Sequence, residues 1–150
     1  MDKFLTAEGL EKFQKELDYL ENTKRKEIAE RIRYTASFGD LKENAGYHEA
    51  KDSQAFMEGR ILELKNIIAT ARVVKKSDSG FVGIGSTVVL HSQDRQDEFM
   101  IVDPQEADIF SNKLSYRSPL GAKLMNKAKG DQISVQTPGG VIEYTILEVK

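Results

Sequence analysis

Asp40 and Glu43 stand three residues apart in the stretch Phe38-Gly39-Asp40-Leu41-Lys42-Glu43-Asn44-Ala45-Gly46-Tyr47-His48-Glu49-Ala50-Lys51. Two carboxylates at that spacing can offer hard oxygen ligands to Mg²⁺, a cation that takes octahedral oxygen coordination and keeps several of its waters. They can equally open a helix, with Asp40 as N-cap and Glu43 as its capping-box partner. Two carboxylates leave a Mg²⁺ site largely unfilled, so metal chemistry here requires ligands from another molecule. His48 lies nearby, but a lone histidine is a weak metal signal and is not counted as a ligand. The chain contains no cysteine, which excludes disulfides and thiolate metal sites.

The elements around this stretch must hold it at the turn of a helical hairpin. Thr6 is a plausible N-cap for a first helix. Leu10, Phe13, Leu17 and Leu20 follow at spacings of three, four and three, the a/d pattern of a coiled-coil seam. The seam weakens at Lys24 and Glu27 and resumes out of phase at Ile28 and Ile32, which reads as a stutter. A second run, Tyr47, Ala50, Gln54, Met57, Ile61, Leu64, Ile68 and Ala71, alternates three and four throughout, with Gln54 its one polar member. Helices of about 28 residues at ~1.5 Å per residue predict a hairpin roughly 40–45 Å long. Its turn is then remote from a hydrophobic core, and acidic residues there are free for a metal ion or a partner.

The remaining composition bounds the function. Charged residues make up 31% and apolar residues 39% of the 150, and the net charge is −2 with both signs mixed along the chain. This is not the basic footprint of an autonomous nucleic-acid binder, so a role near nucleic acid is expected to run through a protein partner. Lys24-Arg25-Lys26 reads as a solvated helix face. The N-terminus lacks the charged and apolar regions of a signal peptide, and no apolar run approaches membrane-spanning length. A cytoplasmic protein with no membrane partner is the expectation.

The pattern changes around residue 75. Lys75-Lys76-Ser77-Asp78-Ser79-Gly80, followed by Gly83 and Gly85, is turn-rich and reads as a linker over 75–85. Strands are predicted at 87–90, 98–102, 113–117, 133–137 and 141–147, the last two forming a hairpin around Pro138-Gly139-Gly140. A short helix fits between the third and fourth, with Ser118 as cap, Pro119 in its first turn and Leu120, Leu124 and Met125 on its apolar face. The fold class is therefore α+β: a coiled-coil hairpin with an acidic tip over 1–74 and an antiparallel sheet domain over 86–150.

At this point the chain resembles the bacterial Gre family of transcription elongation factors. The resemblance runs over essentially the whole length. It is carried by Leu5-Thr6-Ala7-Glu8-Gly9-Leu10, the tip Gly39 to Ala45, Tyr47-His48-Glu49-Ala50-Lys51 and Glu58-Gly59-Arg60-Ile61. In the second half it is carried by Gly85-Ser86-Thr87-Val88, Glu106-Ala107-Asp108, Ser118-Pro119-Leu120-Gly121, Gly130-Asp131 and Thr137-Pro138-Gly139-Gly140. Gly46, where the family often has an acidic residue, and Asn126, where glycine is common, depart from the pattern.

The resemblance implies an FKBP-like second domain that docks on bacterial RNA polymerase, and a coiled coil inserted into the polymerase's secondary channel. It implies a monomer that is not itself an enzyme, but stimulates the polymerase to cleave backtracked nascent RNA. By residue match, Asp40 and Glu43 carry the catalytic role and share a Mg²⁺ with the polymerase. Lys51, and Tyr47 beside it, would contact the RNA 3′ end, and Ser118, Pro119, Leu120 and Gly121 would lie at the polymerase-binding surface. Two other functions compete: an inhibitor of the same fold that enters the channel without promoting cleavage, and a peptidyl-prolyl isomerase or chaperone. The intact acidic pair argues against the first. Fold alone does not confer the second, and no aromatic ligand pocket of an isomerase is evident.

Overall fold

The computed structural model describes residues 2–76 and 79–150. Ser77 and Asp78, in the middle of the expected linker, lie outside the described residues. Chain contacts divide the protein into two units, one made of Met1–Gly9 with Ala71–Lys150 and the other of Leu10–Thr70. The N-terminal strand thus groups with the C-terminal part, a division that the sequence pattern does not announce.

The second unit is the hairpin. Its ascending arm is α1 (Ala7–Tyr19), a π-helical segment (Leu20–Lys24) and α2 (Arg25–Ala36), and its descending arm is α3 (Ala45–Ala69). A π turn holds an extra residue and so rotates everything beyond it. It falls where the apolar seam loses phase, which gives the stutter its physical form. Ile28, Met57 and Ile61 are buried at the centre of the seam, with Leu17, Leu20 and Ile32 packed against them. Ala50 and Leu64 are also buried along α3. At the far end of α3 the buried residue is Ile67, whereas the sequence spacing favours Ile68. Ala71, expected to end the seam, instead begins a strand.

Ion pairs staple the two arms. Arg60 faces Glu16 through its Nε and Nη2, the shortest contact being 2.8 Å, and Arg25 meets Glu58 with two bonds of 2.9 Å. Fork-to-carboxylate geometry of this kind fixes direction as well as distance. The hydrogen bonds from Arg25 hold the Glu58 carboxyl below its ordinary value, and those that Arg60 donates to Glu16 raise its guanidinium.

The first unit is built on a five-stranded sheet of order β5-β4-β3-β7-β6. Its strands are β3 (Thr87–Ser92), β4 (Arg95–Val102), β5 (Lys113–Ser115), β6 (Gln132–Thr137) and β7 (Gly140–Val149), with α4 (Pro119–Leu124) between β5 and β6. Neighbouring strands are antiparallel except for β5, which runs parallel to β4 at one edge. Val82, Val88, Leu90, Ile101, Leu124, Ile133, Val135 and Ile146 form the buried core. Packing therefore reaches Val82, inside the stretch read from sequence as linker.

A separate parallel pair joins β1 (Lys3–Leu5) to β2 (Ala71–Val73), with Phe4 opposite Arg72. Strands of three residues give no periodicity to read, and neither was predicted. Two buried carboxylates from the loop after β4 hold β1 in place. Asp103 accepts from the Phe4 N–H at 3.2 Å, and Glu106 accepts from both the N–H and the hydroxyl of Thr6 at 2.8 and 2.7 Å. Thr6 also caps α1, its hydroxyl oxygen accepting from the Gly9 N–H at 3.0 Å.

Candidate functional site

The loop between α2 and α3 is short and tightly bonded. The last turn of α2 is extended by Phe38 N–H to Thr35 O at 3.2 Å and Gly39 N–H to Ala36 O at 3.0 Å. Gly39 then takes φ +80°, the left-handed conformation that stops a helix, and Asp40 follows at φ +46°. Asp40 can sit there because Asp and Asn tolerate this region better than other side-chain-bearing residues. The chain closes a turn over the next three residues, Glu43 N–H donating to Asp40 O at 3.0 Å. The acidic pair thus brackets one turn.

Asn44, not Asp40, caps α3. Its Oδ1 accepts from the Tyr47 N–H at 3.0 Å. The capping-box assignment of Asp40 and Glu43 is therefore corrected: Asp40 lies four residues ahead of the cap, in a backbone conformation a cap does not use. The Asn44 amide nitrogen reaches back to donate to Thr35 O at 2.7 Å and Gly39 O at 3.3 Å. One side chain therefore ties the end of α2, the loop and the start of α3. His48 adds a second tie, its Nε2 lying 2.9 Å from Lys42 O. Since a carbonyl only accepts, Nε2 carries the proton in this contact.

With the capping role taken by Asn44, the carboxylates of Asp40 and Glu43 are left exposed, and neither makes a hydrogen bond or ion pair among the described residues. Glu43 directly precedes the cap of α3, where the helix dipole favours negative charge. No group of three or more His, Cys, Asp or Glu side chains among the described residues is gathered to hold a metal. The donor set fits Mg²⁺ in its chemistry, hard anionic oxygens, and fits as a partial site completed by another molecule.

The other sequence-predicted residues divide. Tyr47 is half-buried, its ring set edge-on to His48 with centroids 5.7 Å apart. Lys51 is exposed, one turn beyond Tyr47 on α3, with its Nζ 3.3 Å from Gln54 Oε1. Ser118 to Gly121 lie in the other unit. The Ser118 hydroxyl donates to Ser115 O at 2.7 Å and accepts from the Gly121 N–H at 3.0 Å, capping α4. Gly121 is buried so close to Ser115 O that a side chain would overlap it. The Ser118–Gly121 segment caps its own helix, and Ser118 and Leu120 also line an adjoining cleft.

That cleft has a volume of about 360 Å³ and an apolar lining that includes Phe99, Ile109, Leu114 and Leu120. Ile109, in its wall, is 75% exposed, and the next residue, Phe110, 96%. Sequence reasoning passed over both, as it did Asn44; two adjacent large apolar residues between two predicted strands were the available signal.

Comparison with known proteins gives the lineage. The family described as "Transcription elongation factor, N-terminal" matches residues 3–73, and "Transcription elongation factor, GreA/GreB, C-term" matches 76–150. Transcription elongation factor GreA of Clostridium acetobutylicum is 45% identical over 150 residues, covering 97% of this chain and 95% of that protein. The same-named protein of Thermoanaerobacter pseudethanolicus is also 45% identical, covering 97% and 96%. Among solved structures, the GreA factor homolog 1 protein of Thermus thermophilus aligns over 100% of this chain and 99% of its own, at 25% identity and a TM-score of 0.47. Matched along nearly its whole length, helical hairpin and sheet alike, the chain belongs to the GreA/GreB family of transcription elongation factors.

Proposed function

We propose that this elongation factor binds bacterial RNA polymerase through its C-terminal sheet domain and presents the hairpin tip, through the secondary channel, to a backtracked transcript. The exposed, unpartnered carboxylates of Asp40 and Glu43 on a cross-tied loop are the observation that carries this reading. Charged side chains with no local partner, held on a loop whose backbone bonds are satisfied, contribute little to folding and are available to a second molecule.

Asp40 and Glu43 would hold a Mg²⁺ shared with the polymerase; when bound, that ion supplies charge stabilisation for phosphodiester hydrolysis. The residues of this chain do the positioning. Gly39 and Asp40 turn the backbone, Asn44 and His48 hold the loop, and the two carboxylates orient water by accepting its hydrogen bonds. Pre-set acceptors lower the barrier because they need no reorganisation as the reaction proceeds. Lys51, one turn beyond Tyr47 on α3, is suited to a phosphate of the extruded RNA. The apolar cleft with Ile109, Phe110 and Leu120 is the proposed docking surface. The protein is then no nuclease by itself, and it acts as a monomer in the cytoplasm.

The test is direct. Polymerase stalled in a backtracked state is incubated with Mg²⁺, with and without the protein, and the RNA is sized. Protein-dependent shortening at the 3′ side supports the proposal. RNA of unchanged length with demonstrable binding would instead mark a channel-binding inhibitor.

A further inference from the structure

We propose that Tyr34 and Phe38 form a stacking platform for a nucleobase of the extruded single-stranded RNA; this deepens the cleavage reading above and rests on it. Tyr34 is 66% and Phe38 69% exposed. Their rings stand edge to face, centroids 5.1 Å apart and planes at 88°. Neither belongs to the hairpin core, which is made of Ile28, Met57 and Ile61 with Leu17, Leu20 and Ile32. Two aromatic rings held in water, off the seam, do nothing for the fold that a polar pair would not do. Each ring instead orders the other, which lowers the cost of ordering them when a third ring binds.

Three observations point to a base as the third ring. First, the platform adjoins the acidic loop: Phe38 precedes Asp40 by two residues, so their Cα atoms are within about 7.6 Å by chain length alone. A group that addresses a phosphodiester at Asp40 therefore brings its neighbouring bases to the platform. Second, the stripe continues in positive charge. Arg31, Tyr34 and Phe38 follow at helical spacings of three and four and share a face. Arg31, with Arg33 and Lys42 flanking, is exposed and without an ion-pair partner among the described residues. Cations beside aromatic rings are the means by which proteins hold single strands without reading sequence, because every base has a π-face. Third, Tyr47, the aromatic that the sequence suggested for RNA, is half-buried and turned onto His48. Tyr34 and Phe38 are the rings the tip leaves open.

The experiment uses the full-length protein and backtracked polymerase complexes whose extruded RNA carries either normal bases or a single abasic nucleotide, placed at each extruded position in turn. On normal RNA, Tyr34→Ala and Phe38→Ala should each lower stimulated cleavage roughly 5- to 10-fold, the scale of one lost base–aromatic stack. Wild type should lose a similar factor at one abasic position, and the alanine variants should lose nothing more there. Phe38→Trp should retain activity. All variants should keep wild-type helix content and compete equally for polymerase. Equal losses by the variants on normal and abasic RNA would overturn the proposal and assign the rings to a protein surface in the channel. Variants as active as wild type would overturn it as well. A wild type that cleaves neither RNA would sink the cleavage reading itself and the platform with it, an outcome distinct from a wild type that cleaves both equally well.

Discussion

Gly9 and Glu106 meet at a distance that only glycine allows: a Cβ at position 9 would overlap the Glu106 carboxylate. That carboxylate is buried with no cation against it among the described residues and is satisfied by the N–H and hydroxyl of Thr6. It also sits at the start of α1, where the helix dipole favours an anion. Gly9, in the middle of a helical turn, is otherwise an unfavourable choice.

Gly9→Ala should therefore destabilise the protein despite alanine's better helix propensity. Displacing Glu106 leaves buried groups of Thr6 unsatisfied, at about 1–3 kcal/mol. Gly59→Ala is the control. It lies exposed in α3 with nothing near its Cβ position, and should stabilise by roughly 0.5–1 kcal/mol. Thermal melts that move in the same direction for both would refute the contact. Gly9→Ala combined with Glu106→Ala should cost less than the sum of the two, since the overlap is gone.

Asn44→Asp separates the two duties of Asn44. The acceptor that caps α3 survives, while the donor to Thr35 O and Gly39 O is lost. Helix content should hold, stability should fall by about 1 kcal/mol, and transcript cleavage should fall several-fold as the loop loosens. Asn44→Ala loses the cap as well, adding about 1 kcal/mol. Circular dichroism and cleavage assays on the same preparations decide this; an Asn44→Asp variant with unchanged cleavage would show that the loop holds itself.

Asp40→Asn and Glu43→Gln test the acidic pair without disturbing its frame. Asn tolerates the left-handed conformation of residue 40 as Asp does. Both sites are exposed, so stability should stay within about 0.5 kcal/mol. Binding to polymerase should persist. Cleavage should drop roughly 10-fold or more if a carboxylate supplies even ~1.4 kcal/mol to the transition state. Wild-type cleavage by folded, bound variants would remove the acidic pair from the mechanism.

The Arg25–Glu58 clasp predicts a pH dependence for the hairpin. The Glu58 carboxyl is lowered chiefly by its hydrogen bond from Arg25. A carboxyl lowered on folding contributes stability above its unfolded value, about 4.3, and loses it as pH falls through the lowered folded value. Glu58→Gln should melt slightly below wild type at neutral pH and coincide with it in strong acid. A gap that persists unchanged into acid would assign the difference to packing. The pair is exposed, so the effect should also shrink with added salt.

The hairpin was legible because long seams repeat their signal many times over. The phase slip read as a stutter at Lys24 and Glu27 lies beside the π turn at Leu20–Lys24, whose form only the backbone shows. The tip was legible in its residues and not in its bonding. Asp, Asn and Glu all suit a helix start, and only the backbone shows that Asn44 took the cap and left Asp40 in a left-handed turn. The β1–β2 pair and the Thr6–Glu106 contact were not legible: the first joins strands too short to pattern, from Lys3 to Ala71, and the second joins side chains 100 positions apart. Asn126, a departure from the family's glycine, is explained by its φ of +66°, which Asn accepts nearly as readily.

The π turn at Leu20–Lys24 makes the hairpin adjustable in length. A single residue gained or lost in an α-helix swings all later side chains by about 100°, enough to turn a seam out to solvent. A segment already wound with a surplus residue can absorb such a change locally, leaving Ile28 and Ile32 facing α3. Beyond it, matched insertions of whole turns in α2 and α3 would carry the acidic loop outward by ~5.4 Å each. The reach of the tip is thereby a quantity that descent could tune in steps, with the correction for miscounting built into the stem.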